Sequence, residues 1–168
     1  MIALQILDQK EFTKNLFIGN IFHPFLLSEA TITTFNTFHI DGSLRKNFYT
    51  EEEQAAMHME NREYAKWEES KPFCFQIIKG KHTPIYFKIV FHLSRDDMER
   101  FLKSAGVLMT ADDVFGLYLN ITYDGKSLIC TTGSSMKIFT LDKTLDNSWD
   151  LWVMAFLKQH GIATEQVS

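Results

Sequence analysis

Hydrophobic and polar residues follow two different periodicities in successive segments of this chain. Alternation with a period of two indicates strands, whereas apolar residues three or four positions apart indicate amphipathic helices. The first segments predict a strand at 2–6, a helix from Asp8 to about Ile18, and strands at 25–33, 37–40 and 44–49. Later segments predict a strand at 85–93, a helix from Ser94 to about Ser104, and strands at 117–123, 126–131 and 136–141. The order strand, helix, three strands is therefore predicted twice.

The two predicted units also resemble each other in sequence. Residues 7–16 match residues 93–102, and residues 42–48 match residues 133–139 at nearly the same offset. In both units a residue that favours helix N-caps, Asp8 or Ser94, precedes the helix. Two matches in the same order indicate an internal duplication.

Two segments between the units do not belong to the repeat. Residues 51–70 are rich in glutamate and follow Thr50, which predicts a helix because acidic side chains in the first turn favour the positive helix end. After Pro72, alternating residues at 73–78 predict an extra strand. The connection between the units is thus expected to be an acidic helix followed by a strand.

A last amphipathic helix is predicted from about Leu145 to His160, and the tail beyond it is predicted to be loose. Trp149, Trp152 and Phe156 share one face of this helix. Docking on the core of the same chain is the favoured interpretation, because helix stability comes mostly from packing such a face. The alternative is burial against a second copy, so a homo-oligomer through this helix is left open.

These elements predict an α+β fold with a mostly antiparallel sheet and an internal duplication. At 168 residues and 45% hydrophobic composition, the chain can form one domain with a sizeable core. The predicted organisation of this single domain (1–168) is a first repeat (1–50), an acidic helical connector (51–71), an extra strand with the second repeat (72–142), and a C-terminal helix with its tail (143–168).

The order of elements in residues 1–142 resembles DNA sliding-clamp domains and the monomeric viral processivity factors. In that fold two helices lie side by side on curved sheets and follow the DNA backbone, so the resemblance implies a nucleic-acid partner. The amino-acid sequences of residues 32–38 and 73–81 resemble those of a family of uncharacterised small proteins from anaerobic Gram-positive bacteria. That family has no established activity, and the resemblance implies no role for any residue.

Net charge limits the kind of partner that the chain can bind. The charge of −4 repels phosphate backbones, so nucleic-acid binding requires a local basic face. No signal peptide or membrane-length apolar run is apparent, and a cytoplasmic protein without membrane contact is expected. Cys74 and Cys130 stand inside apolar runs, as reduced core thiols do.

One segment of the chain is locally basic. Residues 70–95 contain no Asp or Glu. The candidate binding residues are those of this segment together with two cations of the first helix, namely Lys79, Lys81, His82, Lys88, Arg95, Lys10 and Lys14. Flexible cations of this kind can meet phosphate groups. The alternative is an edge hairpin whose lysines discourage strand-to-strand aggregation.

No pattern in the chain predicts catalytic, metal or cofactor chemistry. The six histidines lack metal-ligand spacing, and no phosphate-binding glycine loop follows a strand. Serines at 43 and 134–135 lack the flanking glycines of a nucleophile elbow and are predicted to lie in hairpin turns. Asp96, Asp97 and Glu99 fit the first turn of a helix, where negative charge is favoured. Enzyme activity is left open, but the absence of these motifs makes a noncatalytic protein the favoured interpretation.

Two functional hypotheses follow from these patterns. The first is a noncatalytic binding module of clamp-like fold that engages a nucleic acid or a DNA-associated protein through the basic segment. The second is a small enzyme or ligand-binding protein with its pocket between the two repeats, lined by the equivalent segments 31–39 and 131–135.

Overall fold

Seven antiparallel strands form one sheet, with five α-helices beside it, in the computed structural model, which describes all 168 residues. The elements are β1 (Ala3–Ile6), α1 (Gln9–Phe17), β2 (Leu26–Thr33), β3 (Thr37–Asp41), α2 (Glu51–Ala56), α3 (Trp67–Ile78), β4 (Tyr86–His92), α4 (Arg95–Ser104), β5 (Val114–Tyr123), β6 (Leu128–Met136), α5 (Thr144–Gln159) and β7 (Thr164–Gln166). The strand order is β3-β2-β4-β5-β6-β1-β7. The predicted α+β class with a mostly antiparallel sheet and a C-terminal helix is confirmed.

Alternating side chains divide the sheet into a core face and an outer face. In β4, Phe87, Ile89 and Phe91 are buried, and Ile89 pairs with Ala30 of β2 and Ile121 of β5 on the same face. The intervening positions of β4 carry Lys88, Val90 and His92 on the other face. The strand register therefore decides which side chains enter the core and which lie on the outer face of the sheet.

Aromatic residues from several helices and loops pack on the core face of β4. The Phe91 ring lies 5.1 Å from Trp67 of α3 and 5.4 Å from Phe25, and Phe25 lies 5.4 Å from Phe156 of α5. On the same face Phe17 of α1 contacts Phe87 and Trp67 edge to face. This cluster joins α1, α3 and α5 to the sheet, and aromatic pairs of this geometry add to the stabilisation from area burial.

The predicted helix starts are confirmed where a capping residue was identified. The Asp8 side chain accepts a hydrogen bond from the Glu11 amide at the start of α1, and Ser94 accepts one from the Asp97 amide at the start of α4. Asp97 also pairs with Arg100 within α4, so the acidic first turn is a helix-stabilising feature as expected.

The predicted strand at 73–78 is wrong, because these residues form the second half of helix α3. Pro72 lies inside this helix, where it removes one backbone hydrogen bond. The helix forms because Trp67 and Cys74, seven positions apart, are both fully buried on one face. The Trp67 indole also donates a hydrogen bond to the Leu16 carbonyl, which fixes α3 against α1. Tertiary packing here overrides local strand preference.

The predicted last strand of each repeat is also wrong. Residues 46–48 form a short 3-10 helix, and β6 continues through the predicted turn at 133–135 and ends at Met136. The predicted connector helix ends early, at Ala56. The tail is not loose, since β7 pairs with β1.

The order strand, helix, two strands occurs twice, as β1-α1-β2-β3 and β4-α4-β5-β6, but the two units are paired differently. Strand β4 pairs with β5 of its own unit, whereas β1 pairs with β6 and β7 and is four strands away from β2. The pairing therefore does not confirm a clamp-like duplication.

The apolar stripe of α5 docks on the core. Trp149, Val153, Phe156 and Leu157 are buried, and the Trp149 indole donates a hydrogen bond to the Tyr118 carbonyl. A homo-oligomer formed through α5 stays a prediction, and its contact would have to involve the outer face of this helix.

No helix in the structure combines the length and the apolar character needed to cross a bilayer.

Gly42 is required by a close backbone approach. A Cβ at this position would collide with the Leu27 carbonyl oxygen and lie 3.0 Å from the Ser28 carbonyl oxygen. We expect Gly42→Ala to lower the free energy of unfolding by about 3 kcal/mol, because strand backbone has to move. Gly133→Ala is the matched control, since its Cβ would have no neighbour closer than 3.9 Å. Equal urea midpoints for the two variants would contradict this account.

Candidate binding clefts

A basic cleft lies where β4 begins. It has a volume of about 460 Å³ and is lined by Lys10 of α1 and by Lys81 and His82 of the loop at residues 79–84, here called the basic loop. Phe87 and Tyr123 form part of its apolar wall. Two groups of cations that are far apart in the sequence are thus brought together.

Local structure explains why these cations meet. The Asp8 cap begins α1 immediately after β1, which places Lys10 in the first helical turn. The basic loop begins at the end of α3, and Gly80 adopts a φ of +132°, a conformation that side chains rarely allow. The side-chain amide of Gln9 donates a hydrogen bond to the Lys126 carbonyl, which ties α1 to the β5–β6 turn.

The lysines of this region are free of carboxylate partners, in contrast to the arginines. Lys10, Lys14, Lys79 and Lys81 form no ion pair, whereas all four arginines of the chain do. The arginine pairs are Arg45 with Asp41, Arg62 with Glu69, Arg95 with Asp112 and Glu99, and Arg100 with Asp97. The unpaired positive charge is thus carried by lysines, and five of them (Lys10, Lys14, Lys79, Lys81 and Lys126) belong to the segments around the basic cleft.

Of the seven predicted binding residues, three line this cleft (Lys10, Lys81 and His82), Lys14 and Lys79 belong to the same segments without lining it, and Lys88 and Arg95 lie away from it. Lys88 occupies the outer face of β4, opposite to the face that carries Phe87. Arg95 begins α4 after the far end of β4, a strand whose seven residues span roughly 20 Å. Its guanidinium is bound by Asp112 and Glu99, which raise its pKa, so it offers no free charge.

The edge-hairpin explanation for the lysines is wrong. The basic loop joins helix α3 to β4, and β4 lies between β2 and β5 in the interior of the sheet. The edges of the sheet are β3 and β7. Lysines in this loop therefore do not protect an exposed strand edge.

A second and larger cleft, here called the His92 cleft, lies at the other end of β4 and has a volume of about 730 Å³. Its lining residues are Leu26, Glu60, Asn61, Arg62, Glu63, Tyr64, His92, Leu93, Arg95, Asp96, Met98, Ala111, Val114, Phe115 and Lys137. They come from the start of β2, the end of β4, the starts of α4 and β5, the segment at 60–64 and the residue that follows β6. Both predicted repeats and their connector contribute to it.

Arg62 holds the segment at 60–64 in place. It is 7% exposed, and all five of its N–H groups donate hydrogen bonds. They reach both carboxylate oxygens of Glu69 and the carbonyls of Met57, His58 and Tyr64. Removal of this guanidinium would leave Glu69 and three partly buried carbonyls without these partners, so Arg62 is a structural brace of the cleft wall.

His92 is the polar centre of the second cleft. Its Nδ1 lies 2.6 Å from the hydroxyl oxygen of Ser28, which sits at a β-bulge in β2. The Tyr64 ring packs edge-on against the imidazole at 4.6 Å, with Tyr118 at 6.0 Å. Burial lowers the pKa of His92 to about 4, so the ring is neutral near pH 7.

Sequence reasoning missed this cluster because its members are far apart in the chain. The strand pattern does place His92 on the outer face of β4, but nothing in the sequence marks the bulge at Ser28 or the return of Tyr64 to the sheet. The segments expected to line a pocket, 31–39 and 131–135, lie on β2–β3 and β6, separated by β4 and β5. Strands β2 and β6 are therefore about 14 Å apart, and none of the main clefts is lined by both segments.

Comparison with known proteins adds a family to this geometry. Residues 15–165 match the model of DUF5721, described as a family of unknown function. The chain belongs to the DUF5721 family. No curated protein and no solved structure matches the chain significantly.

In this DUF5721 chain both cysteines are buried and free, and burial raises the pKa of each thiol to about 12, so neither is a ready nucleophile.

We expect His92 to make the stability of the protein depend on pH. The imidazole has a pKa of about 4 when folded, against 6.5 for the ordinary group. Between these values the unfolded chain binds the proton and the folded chain does not, so stability is full above pH 6.5 and falls as the pH drops towards 4. The loss amounts to about 3 kcal/mol at most.

Urea denaturation between pH 7 and 4.5 measures this dependence. His92→Phe should show a shallower loss of stability on acidification than the wild type, because the titrating group is gone. The same pH slope in both proteins, or an NMR titration midpoint of His92 near 6.5, would show that the ring is not held neutral by burial.

Proposed function

We propose that this protein is a noncatalytic binding module that engages a nucleic acid through the basic cleft. The observation that carries this proposal is the meeting of Lys10 from α1 with Lys81 and His82 from the basic loop, without carboxylate partners for either lysine. Ammonium groups on flexible stems can follow a phosphate backbone and displace its counterions.

The charges around the cleft support this assignment in a protein that is acidic as a whole. Lys14, Lys79 and Lys126 extend the positive charge beyond the lysines that line the cleft. The acids of the same segments are Asp8, Glu11 and Asp124, so five lysines (Lys10, Lys14, Lys79, Lys81 and Lys126) minus three carboxylates leave a net charge of +2. A phosphate polymer would therefore be drawn to this end of the molecule rather than to its average surface.

The proposed contact uses α1 and the basic loop rather than α1 and α4 together. A clamp-like track along two helices needs several free cations on both, and α4 offers only Lys103, since Arg95 and Arg100 are paired with acids. A DNA-associated protein with an acidic surface is the other partner that this cleft would fit, and the experiment below separates the two.

Reversal of two charges in the basic loop tests the proposal. We expect Lys79→Glu with Lys81→Glu to weaken binding of labelled single- and double-stranded DNA at low salt by about 10-fold or more. The melting temperature should hardly change, because both side chains are exposed and unpaired. Lys103→Glu with Lys158→Glu is the matched control, with the same change in net charge on α4 and α5 and binding retained.

Three results would count against this proposal. Absence of DNA binding by the wild type at low salt would exclude the nucleic-acid version and leave a protein partner. Equal losses in the two double variants would mean that only net charge matters. A markedly lower melting temperature of the loop variant with unchanged binding would make the lysines structural.

A further inference from the structure

His92 has a buried ring with an unused hydrogen-bonding group. Four polar or charged residues are buried, namely Arg62, His92, Thr132 and Asp150. The N–H groups of Arg62 are all bonded, and Thr132 and Asp150 bond to each other and to the first two residues of the chain. His92 is 9% exposed as a residue, and its Nε2 has no protein partner and is open to the cleft. An accessible ring nitrogen of this kind can bond to water or to a ligand that displaces the water.

The hydrogen bond to Ser28 sets what Nε2 can do. Among protein groups, the Ser28 hydroxyl bonds only to His92 Nδ1, at 2.6 Å. A hydroxyl that donates to Nδ1 leaves the ring proton of a neutral imidazole on Nε2. In this direction of the bond, His92 presents an N–H donor to the cleft, and its partner is an acceptor atom of a ligand.

The rest of the cleft favours a ligand without net charge and with a flat apolar part. Its lining contains three acids (Glu60, Glu63, Asp96) and three bases (Arg62, Arg95, Lys137). Arg62, Arg95 and Glu63 are bound in ion pairs, so the cleft has no surplus of free positive charge to hold an anion. Phe115, which is 64% exposed, supplies apolar surface, whereas Leu93, Met98 and Val114 are buried in the cleft wall. The Tyr64 hydroxyl, with no hydrogen bond within the protein, is a second neutral group beside the imidazole.

We propose that the His92 cleft is a binding site for a small neutral heterocycle whose carbonyl or ring nitrogen accepts a hydrogen bond from His92 Nε2. The volume of about 730 Å³ falls within the range of pockets that hold small organic ligands. This site is separate from the basic cleft, since the two lie at opposite ends of β4. The proposal therefore does not depend on nucleic-acid binding.

NMR of the full-length protein with labelled histidine and tyrosine tests the proposal in two steps. In the free protein, the ring nitrogens of His92 should show the tautomer with the proton on Nε2. Addition of nicotinamide, uridine and caffeine as probes should then give saturable shifts of the His92 and Tyr64 ring signals for at least one of them, below about 10 mM. Nicotinate, the anionic analogue of nicotinamide, should not bind more tightly than nicotinamide.

Variants separate a binding role of His92 from a structural one. His92→Phe should abolish the saturable shifts of Tyr64. The matched control is His39→Phe, because His39 has its Nδ1 3.0 Å from a hydroxyl, that of Thr31, but lies exposed and outside the cleft. If His92→Phe does not fold, Ser28→Ala serves instead and should weaken binding by about 3-fold or more through loss of the fixed tautomer.

Each of four outcomes would overturn the assignment. These are a proton on Nδ1 in the free protein, no saturable shift with any neutral probe, preference for nicotinate, and equal binding by wild type and a folded His92 or Ser28 variant. Loss of DNA binding by the lysine variant has no bearing on this result, so failure of one proposal is distinguishable from failure of the other.

Discussion

The aromatic side chains that pack on Phe91 determine where both clefts lie. Phe22, Phe25 and Trp67 contact this ring from a loop and from α3, with centroids 5.1–5.6 Å away. Because side chains in a strand alternate between faces, inward placement of Phe91 forces His92 outward. A slip of β4 by one residue would turn Lys88 and His92 into the hydrophobic core and move Phe87 and Phe91 out of it, at a large cost in free energy.

The position of β4 in the middle of the sheet gives each of its ends a different environment. Its first end follows the basic loop and faces the start of α1, where lysines have no ion-pair partners. Its last end meets the bulge at Ser28 and the segment braced by Arg62, where the arginines are bound in ion pairs and the imidazole is neutral. The two ends are therefore suited to different ligands, one anionic and one uncharged.

The sequence predicts the elements whose local signals agree with their packing, and it misses the others. Asp8 and Ser94 mark helices that form, and the alternation in β4 assigns its faces correctly. Residues 73–78 look like a strand because their aromatic and β-branched residues alternate, yet burial of Trp67 and Cys74 makes them helical. The sequence identifies Lys10, Lys81 and His82 as separate candidate binding residues. Their proximity depends on the packing of α1 beside the basic loop, which the sequence does not predict. The Ser28–His92 pair depends on strand pairing between distant segments, which no local pattern encodes.

The central claim is that β4 separates an anion-binding end from a neutral end. Amide chemical-shift mapping with a short single-stranded oligonucleotide at low salt tests it most directly. The account predicts that the shifted amides cluster at residues 9–14, 79–84 and 124–127, while those of α4 and of the segment at 60–64 stay in place. Shifts centred on α4 and the His92 cleft, or spread evenly over the surface, would contradict it.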